Sequence, residues 1–81
     1  MRVHIRYFAA LREVMGRPDE TLELPDSATV ADASLALVAR TPALRAPLAS
    51  CVAAVNRGYV TPDVALADGD ELVFIPPLGG G

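Results

Sequence analysis

Glu71-Leu72-Val73-Phe74-Ile75, near the end of the 81-residue chain, is the stretch that decides the fold. Read with a period of two, it is apolar on both faces, Leu72 and Phe74 on one and Val73 and Ile75 on the other. A strand covered on both sides belongs in the middle of a sheet. The turn Asp68-Gly69-Asp70 leads into it, and Pro76-Pro77 ends it by removing ladder donors. At the other end of the chain, Arg2-Val3-His4-Ile5-Arg6-Tyr7-Phe8 alternates, with Val3, Ile5 and Tyr7 opposed to Arg2, His4 and Arg6. That is a strand with one dry and one wet face. If the first and last strands are neighbours, Val3 and Ile5 pack with Leu72 and Phe74.

Between these strands the pattern changes twice. Residues 9–15 are good helix formers, and Gly16 with Pro18 supplies a stop. Residues 20–24 alternate again, with Leu22 and Leu24 apolar, before the turn-prone Pro25-Asp26-Ser27. The main helix opens at Thr29, whose hydroxyl suits a cap while Asp32, three residues on, completes a capping box. Val30, Ala33, Leu37 and Val38 share one face, Arg40 suits the negative helix end, and Thr41-Pro42 terminates it. Residues 43–50 read as a loop with one helical turn at most. Cys51–Val55 and Tyr59–Thr61 read as two short strands joined by Asn56-Arg57-Gly58. The order predicts an α+β fold, a mixed sheet of four to five strands wrapped over one main helix.

Composition narrows the function. With 52% hydrophobic and 21% charged residues the chain is expected to fold, as one domain over residues 1–75. No apolar run approaches the roughly 18 residues of a membrane span, so a soluble, cytoplasmic protein with no membrane partner is expected. Ten acids face seven bases, all arginine and all scattered, and Trp is absent; nucleic acid is not an expected partner. The single Cys51 forms no internal disulfide and is read as a small buried side chain. His4 alternates out of its strand and is read as solvent-facing. Asp68, Asp70 and Glu71 lack calcium-loop spacing and are read as a turn. The chain offers no internal nucleophile, base and orienting group, and no metal or cofactor of its own is expected. Lacking lysine, it has no internal side-chain amine to be modified, yet its own end is free to be donated.

Pro76-Pro77-Leu78-Gly79-Gly80-Gly81 is the segment folding does not require. Three glycines have maximal backbone entropy to lose and nothing to pack. As a flexible arm over residues 76–81 it reaches about 20 Å and is no thicker than backbone, so it suits a narrow active site elsewhere. A terminal carboxylate, ordinarily ionised above about pH 3.7, is a poor electrophile. Once activated, most simply as an acyl-adenylate, it accepts sulfur or an amine, and glycine places no Cβ beside the attacked carbon.

Taken together, Tyr7-Phe8-Ala9 with Leu11-Arg12-Glu13 and Gly16, Thr29-Val30, Ala54-Val55-Asn56, Leu66-Ala67-Asp68-Gly69-Asp70-Glu71-Leu72, and Phe74-Ile75-Pro76-Pro77 followed two residues later by Gly80-Gly81 resemble the family of molybdopterin synthase small subunits, often called MoaD. These are ubiquitin-like β-grasp sulfur carriers. The resemblance implies that Gly81 is adenylated by a ubiquitin-activating-like adenylyltransferase using ATP, converted to a thiocarboxylate with sulfur from a donor, and inserted into the large catalytic subunit of molybdopterin synthase. There it gives sulfur to cyclic pyranopterin monophosphate. By position, Gly81 is the sulfur-bearing residue and Gly80 its slim neighbour. Phe74, Pro76, Pro77, Leu78 and Gly79 would form the docking stem, in a heterotetramer with two small subunits. The competing readings are a related carrier for thiamine or cysteine synthesis or for protein conjugation, and a non-catalytic β-grasp interaction module.

Overall fold

The computed structural model describes residues 1–76. Its elements are β1 (Arg2–Arg6), α1 (Ala9–Met15), β2 (Asp19–Glu23), α2 (Val30–Arg40), a 3-10 turn (Pro42–Leu44), α3 (Arg45–Ala49), β3 (Val52–Val55), β4 (Gly58–Val60) and β5 (Glu71–Ile75). They form one five-stranded sheet in the order β2-β1-β5-β3-β4. β5 is central, as its two apolar faces require. It pairs in parallel with β1, Ile5 opposite Leu72, and antiparallel with β3, Ala53 opposite Phe74.

Several local signals that rest on one residue's chemistry are realised. Gly16 ends α1 in the left-handed conformation at φ +71°, which costs glycine nothing and its amide donates to the Arg12 carbonyl. Thr29 and Asp32 form the reciprocal capping box, each side chain accepting from the other's backbone amide. The first two amides of α2 donate to the carbonyls of Val64 and Pro62, so the stretch after β4 seals the helix entrance. Asn56 and Arg57 both have positive φ, the geometry of a tight two-residue hairpin loop matched to strand twist.

The core lies between one sheet face and α2. Val3, Ile5, Leu22, Leu72 and Phe74 point down from the sheet onto Val30, Ala33 and Leu37. Leu44, read above as part of a loop, has no exposed surface. Residues 42–49 are helical for most of their length, and Pro47 is tolerated because it falls in the first turn of α3, where its missing amide has no intrahelical partner. No helix among the described residues is long and apolar enough to cross a membrane.

A partly buried polar cluster ties the layers together. The Tyr7 hydroxyl donates to Glu20 Oε2 at 2.5 Å, and Arg40 Nη2 at the end of α2 donates to the same oxygen at 2.6 Å. Burial on its own would raise the Glu20 pKa, but these bonds and the two nearby guanidiniums outweigh it and hold the carboxyl below its ordinary value. Burial, followed by the bond to the carboxylate, pushes the Tyr7 hydroxyl well up.

Candidate functional site

Strand alternation and register fix what the outer face of the sheet presents. On β2 and β1 it carries Asp19, Thr21 and Glu23 against Arg6, His4 and Arg2. Arg2 Nε lies 2.9 Å from Glu23, and His4 Nε2 lies 4.0 Å from Asp19. On β5, β3 and β4 the same face carries Val73 and Ile75, then Val52 and Ala54, then Tyr59. One half of the face is therefore ionic and the other apolar.

The apolar half is open to solvent. Tyr59 is 76% exposed and Val52 51%, and Val52 sits directly opposite Ile75. Val52, Ala53, Tyr59, Val60, Thr61, Ile75 and Pro76 line an open groove here. Phe8 lies two residues beyond Arg6, which pairs with Val73, so it continues the same outer row toward Ile75; Arg6 stacks over its ring at 5.6 Å. Large apolar side chains gathered in one exposed patch mark an interaction surface. Pro76 stands at the border of this patch, where β5 leaves the sheet.

The site residues expected from sequence separate into three groups. Pro76 is half-buried at the strand end, beside the groove. Pro77, Leu78, Gly79, Gly80 and Gly81 lie outside the described residues. Phe74 requires a correction: its side chain is 3% exposed and belongs to the core, so it is not part of a docking surface. The reason is strand parity. Phe74 pairs with Ala53 on the inner face, and the outward positions are its neighbours Val73 and Ile75.

Val52 and Tyr59 were missed as docking candidates, because each looks like ordinary strand sequence until the register places Val52 opposite Ile75 and Tyr59 opposite Ala54, on the same groove.

The remaining polar candidates are structural. Asp68 Oδ1 accepts from the Arg2 amide at 2.7 Å, and Asp70 accepts from the Ala67 amide at 2.7 Å and from Asn56 Nδ2 at 2.9 Å. Asn56 Oδ1 accepts in turn from the Glu71 amide. The acidic turn thus pins the start of β5 to β1 and to the β3–β4 hairpin. Cys51 Sγ donates to the Pro47 carbonyl at 3.2 Å, and burial raises its pKa.

A mixed sheet with parallel terminal strands at its centre, wrapped over one long helix, defines a ubiquitin-like β-grasp protein. Residues 5–81 match the ThiS family, and the chain belongs to that family. Over the whole of both chains it is 45% identical, across 83 aligned residues, to the molybdopterin synthase sulfur carrier subunit of Chlamydomonas reinhardtii. Its fold is similar to that of a Pyrococcus furiosus protein described as putative molybdopterin converting factor, subunit 1, with TM-score 0.88 and 31% identity, covering 96% of this chain and 99% of that one. It is also similar to small archaeal modifier protein 1 of Haloferax volcanii, with TM-score 0.86 and 30% identity, covering 95% and 98%.

Proposed function

We propose that the chain is the sulfur carrier subunit of a molybdopterin synthase, and that Gly81 bears the sulfur. The observation that carries this reading is the position of β5. The central strand of the sheet, paired on both sides, ends beside an exposed apolar patch, and in sequence the Pro-Pro-Leu-Gly-Gly-Gly end follows it directly. A partner that grips the patch therefore holds the root of the arm at a fixed place, and the glycines do the reaching. The full-length likeness to a sulfur carrier subunit supports the choice of chemistry.

In the proposed sequence a carboxylate oxygen of Gly81 attacks the α-phosphorus of ATP on an adenylyltransferase, and pyrophosphate leaves. A sulfide-level donor then attacks the acyl carbon and AMP departs with the bonding pair, leaving a terminal thiocarboxylate. Inside the large catalytic subunit the sulfur attacks a carbon of cyclic pyranopterin monophosphate, an oxygen substituent leaves that carbon with the bonding pair, and water cleaves the acyl–sulfur bond to return the carboxylate. The carrier supplies no acid or base; it supplies an end thin enough to enter both active sites. Docking on the large subunit is assigned to Val52, Tyr59, Ile75 and Pro76, with two carriers in a heterotetramer.

Incubation with ATP, sulfide and the activating enzyme, followed by intact-mass measurement, is expected to show the exchange of one oxygen for sulfur. Deletion of Gly81 is expected to abolish both the exchange and sulfur transfer; transfer that survives the deletion overturns the reading. Likeness to a protein named as a modifier favours one alternative, conjugation of Gly81 to an amine on another protein. An amide-linked product in place of pterin sulfuration would select it.

A further inference from the structure

An activated acyl group is captured by whichever amine or thiol reaches it: the nucleophile attacks the acyl carbon, the leaving group departs with the bonding pair, and an amide or thioester forms. A carrier's own amines and thiols are the first it meets. In this chain the basic side chains other than His4 are arginines, whose guanidiniums remain protonated and do not attack. Acylation of His4 would give an acyl-imidazole that water returns to the carboxylate. Two competent groups are left, the Met1 amine and the Cys51 thiol.

The fold restrains both. The Met1 amine donates to the Leu24 carbonyl at 2.7 Å and lies 3.5 Å from the Asp26 carboxylate, while the Met1 side chain, 4% exposed, is seated on the core. The amine is also at the wrong end of the sheet. Arg6 pairs with Val73, so Phe8, two residues further on, is level with Ile75, and Met1 lies seven positions back from Phe8 along β1. At a rise of about 3.3 Å per residue that is about 23 Å, beyond the roughly 20 Å to which residues 76–81 extend.

Cys51 is the opposite case. The antiparallel pairing of Val52 with Ile75 sets it beside Pro76, well within reach of the arm. Its thiol faces the core side, donates to Pro47 and is kept protonated by burial, so the thiolate that would attack is scarce.

We propose that this carrier is built to be inert toward its own activated end: lysine is absent, the terminal amine is tied down out of reach, and the one nearby thiol is masked, so that only a partner's nucleophile captures Gly81. The inference rests on the reading that Gly81 becomes an activated acyl group. Its test installs the activation chemically, so enzymatic adenylation is not involved. Failure of the activating enzyme to act on Gly81 would overturn the sulfur-carrier reading and leave this result standing.

The full chain bearing a Gly81 thioester is kept folded at mildly alkaline pH and followed by intact mass. Added free cysteine is expected to capture the end promptly, while the chain alone only hydrolyses slowly. Arg12→Lys and Arg57→Lys, both at exposed positions, are expected to yield about tenfold or more amide-linked product, chiefly rings closed within one chain, than the unaltered chain. In denaturant the unaltered chain is expected to lose its thioester about tenfold faster or more, to rings closed on Cys51 or Met1. Self-linkage of the folded, unaltered chain at the rate of the lysine variants overturns the proposal. So does a lysine variant that links no faster, or a denatured chain that closes no faster than the folded one.

Discussion

Inward and outward strand positions make opposite predictions for stability and docking, and Phe74 and Tyr59 test them. Tyr59 is 76% exposed. If docking covers it, about three quarters of the roughly 200 Å² of an aromatic side chain leaves water, about 150 Å². At about 25 cal/mol per Å² that is a gross gain of about 4 kcal/mol, less about 1 kcal/mol for fixing the side chain. Tyr59→Ala should therefore weaken binding of the large subunit by about 2–3 kcal/mol, or about 30- to 150-fold in Kd. The isolated chain should keep its melting temperature within a few degrees, since surface truncations cost about 0.5 kcal/mol or less. Phe74→Ala opens a cavity in the core at a cost of about 3–5 kcal/mol, and for a domain of this size each kcal/mol lowers Tm by about 4–8 °C. Thermal denaturation of both variants, with calorimetric titration against the large subunit, gives the four numbers needed. A Phe74→Ala chain that melts normally but docks poorly would refute the assignment of faces, as would a Tyr59→Ala chain that docks with unchanged Kd.

Three further outcomes follow from the local chemistry. Because Glu20 has its pKa lowered on folding, its ionised form contributes stability that is complete above the ordinary carboxylate range and is lost as pH falls through the depressed folded value. Glu20→Gln should lower Tm at neutral pH and flatten the acid limb of a Tm-against-pH curve; an unchanged acid limb would remove Glu20 from the account. Thr29→Ala removes one half of the capping box and should cost about 1 kcal/mol, read as a lower denaturant midpoint with an unchanged slope. Gly16→Ala meets no atom within 4 Å, yet φ +71° disfavours any Cβ, so a loss of about 1 kcal/mol is expected and an equal or higher Tm would contradict the strain argument.

Much of the fold was legible because its signals are local. The alternation of Val3, Ile5 and Tyr7, the Thr29–Asp32 box, Gly16 and the two-faced apolar β5 each speak through residues within a turn or two of one another. Residues 42–49 were less legible. Alanines, leucines and two prolines gave no clean period, and the burial of Leu44 comes from elements distant in sequence. The polar cluster of Tyr7, Glu20 and Arg40 was invisible for a related reason. Each of its members already had a satisfactory local reading, Arg40 at a helix end among them, and only packing brings α2 onto β2.

The proposed docking surface shows where the boundary lies. Sequence alone determined that β5 is central, that it runs into a thin glycine end, and that no lysine exists to compete for that end, because composition and periodicity are properties of the chain itself. It left Phe74 with two readings, packing with Val3 and Ile5 if the terminal strands are neighbours and docking as the resemblance implied, since a strand apolar on both sides has no polar residue to mark its wet face. Only the tertiary pairing resolves this. Parallel contact with β1 and antiparallel contact with β3 commit Phe74 to the helix side, and they gather Val52, Tyr59 and Ile75 into one patch at the root of the arm. The same pairings set Cys51 beside Pro76 and Met1 at the opposite end of the sheet, distances fixed by strand register and not by position along the chain.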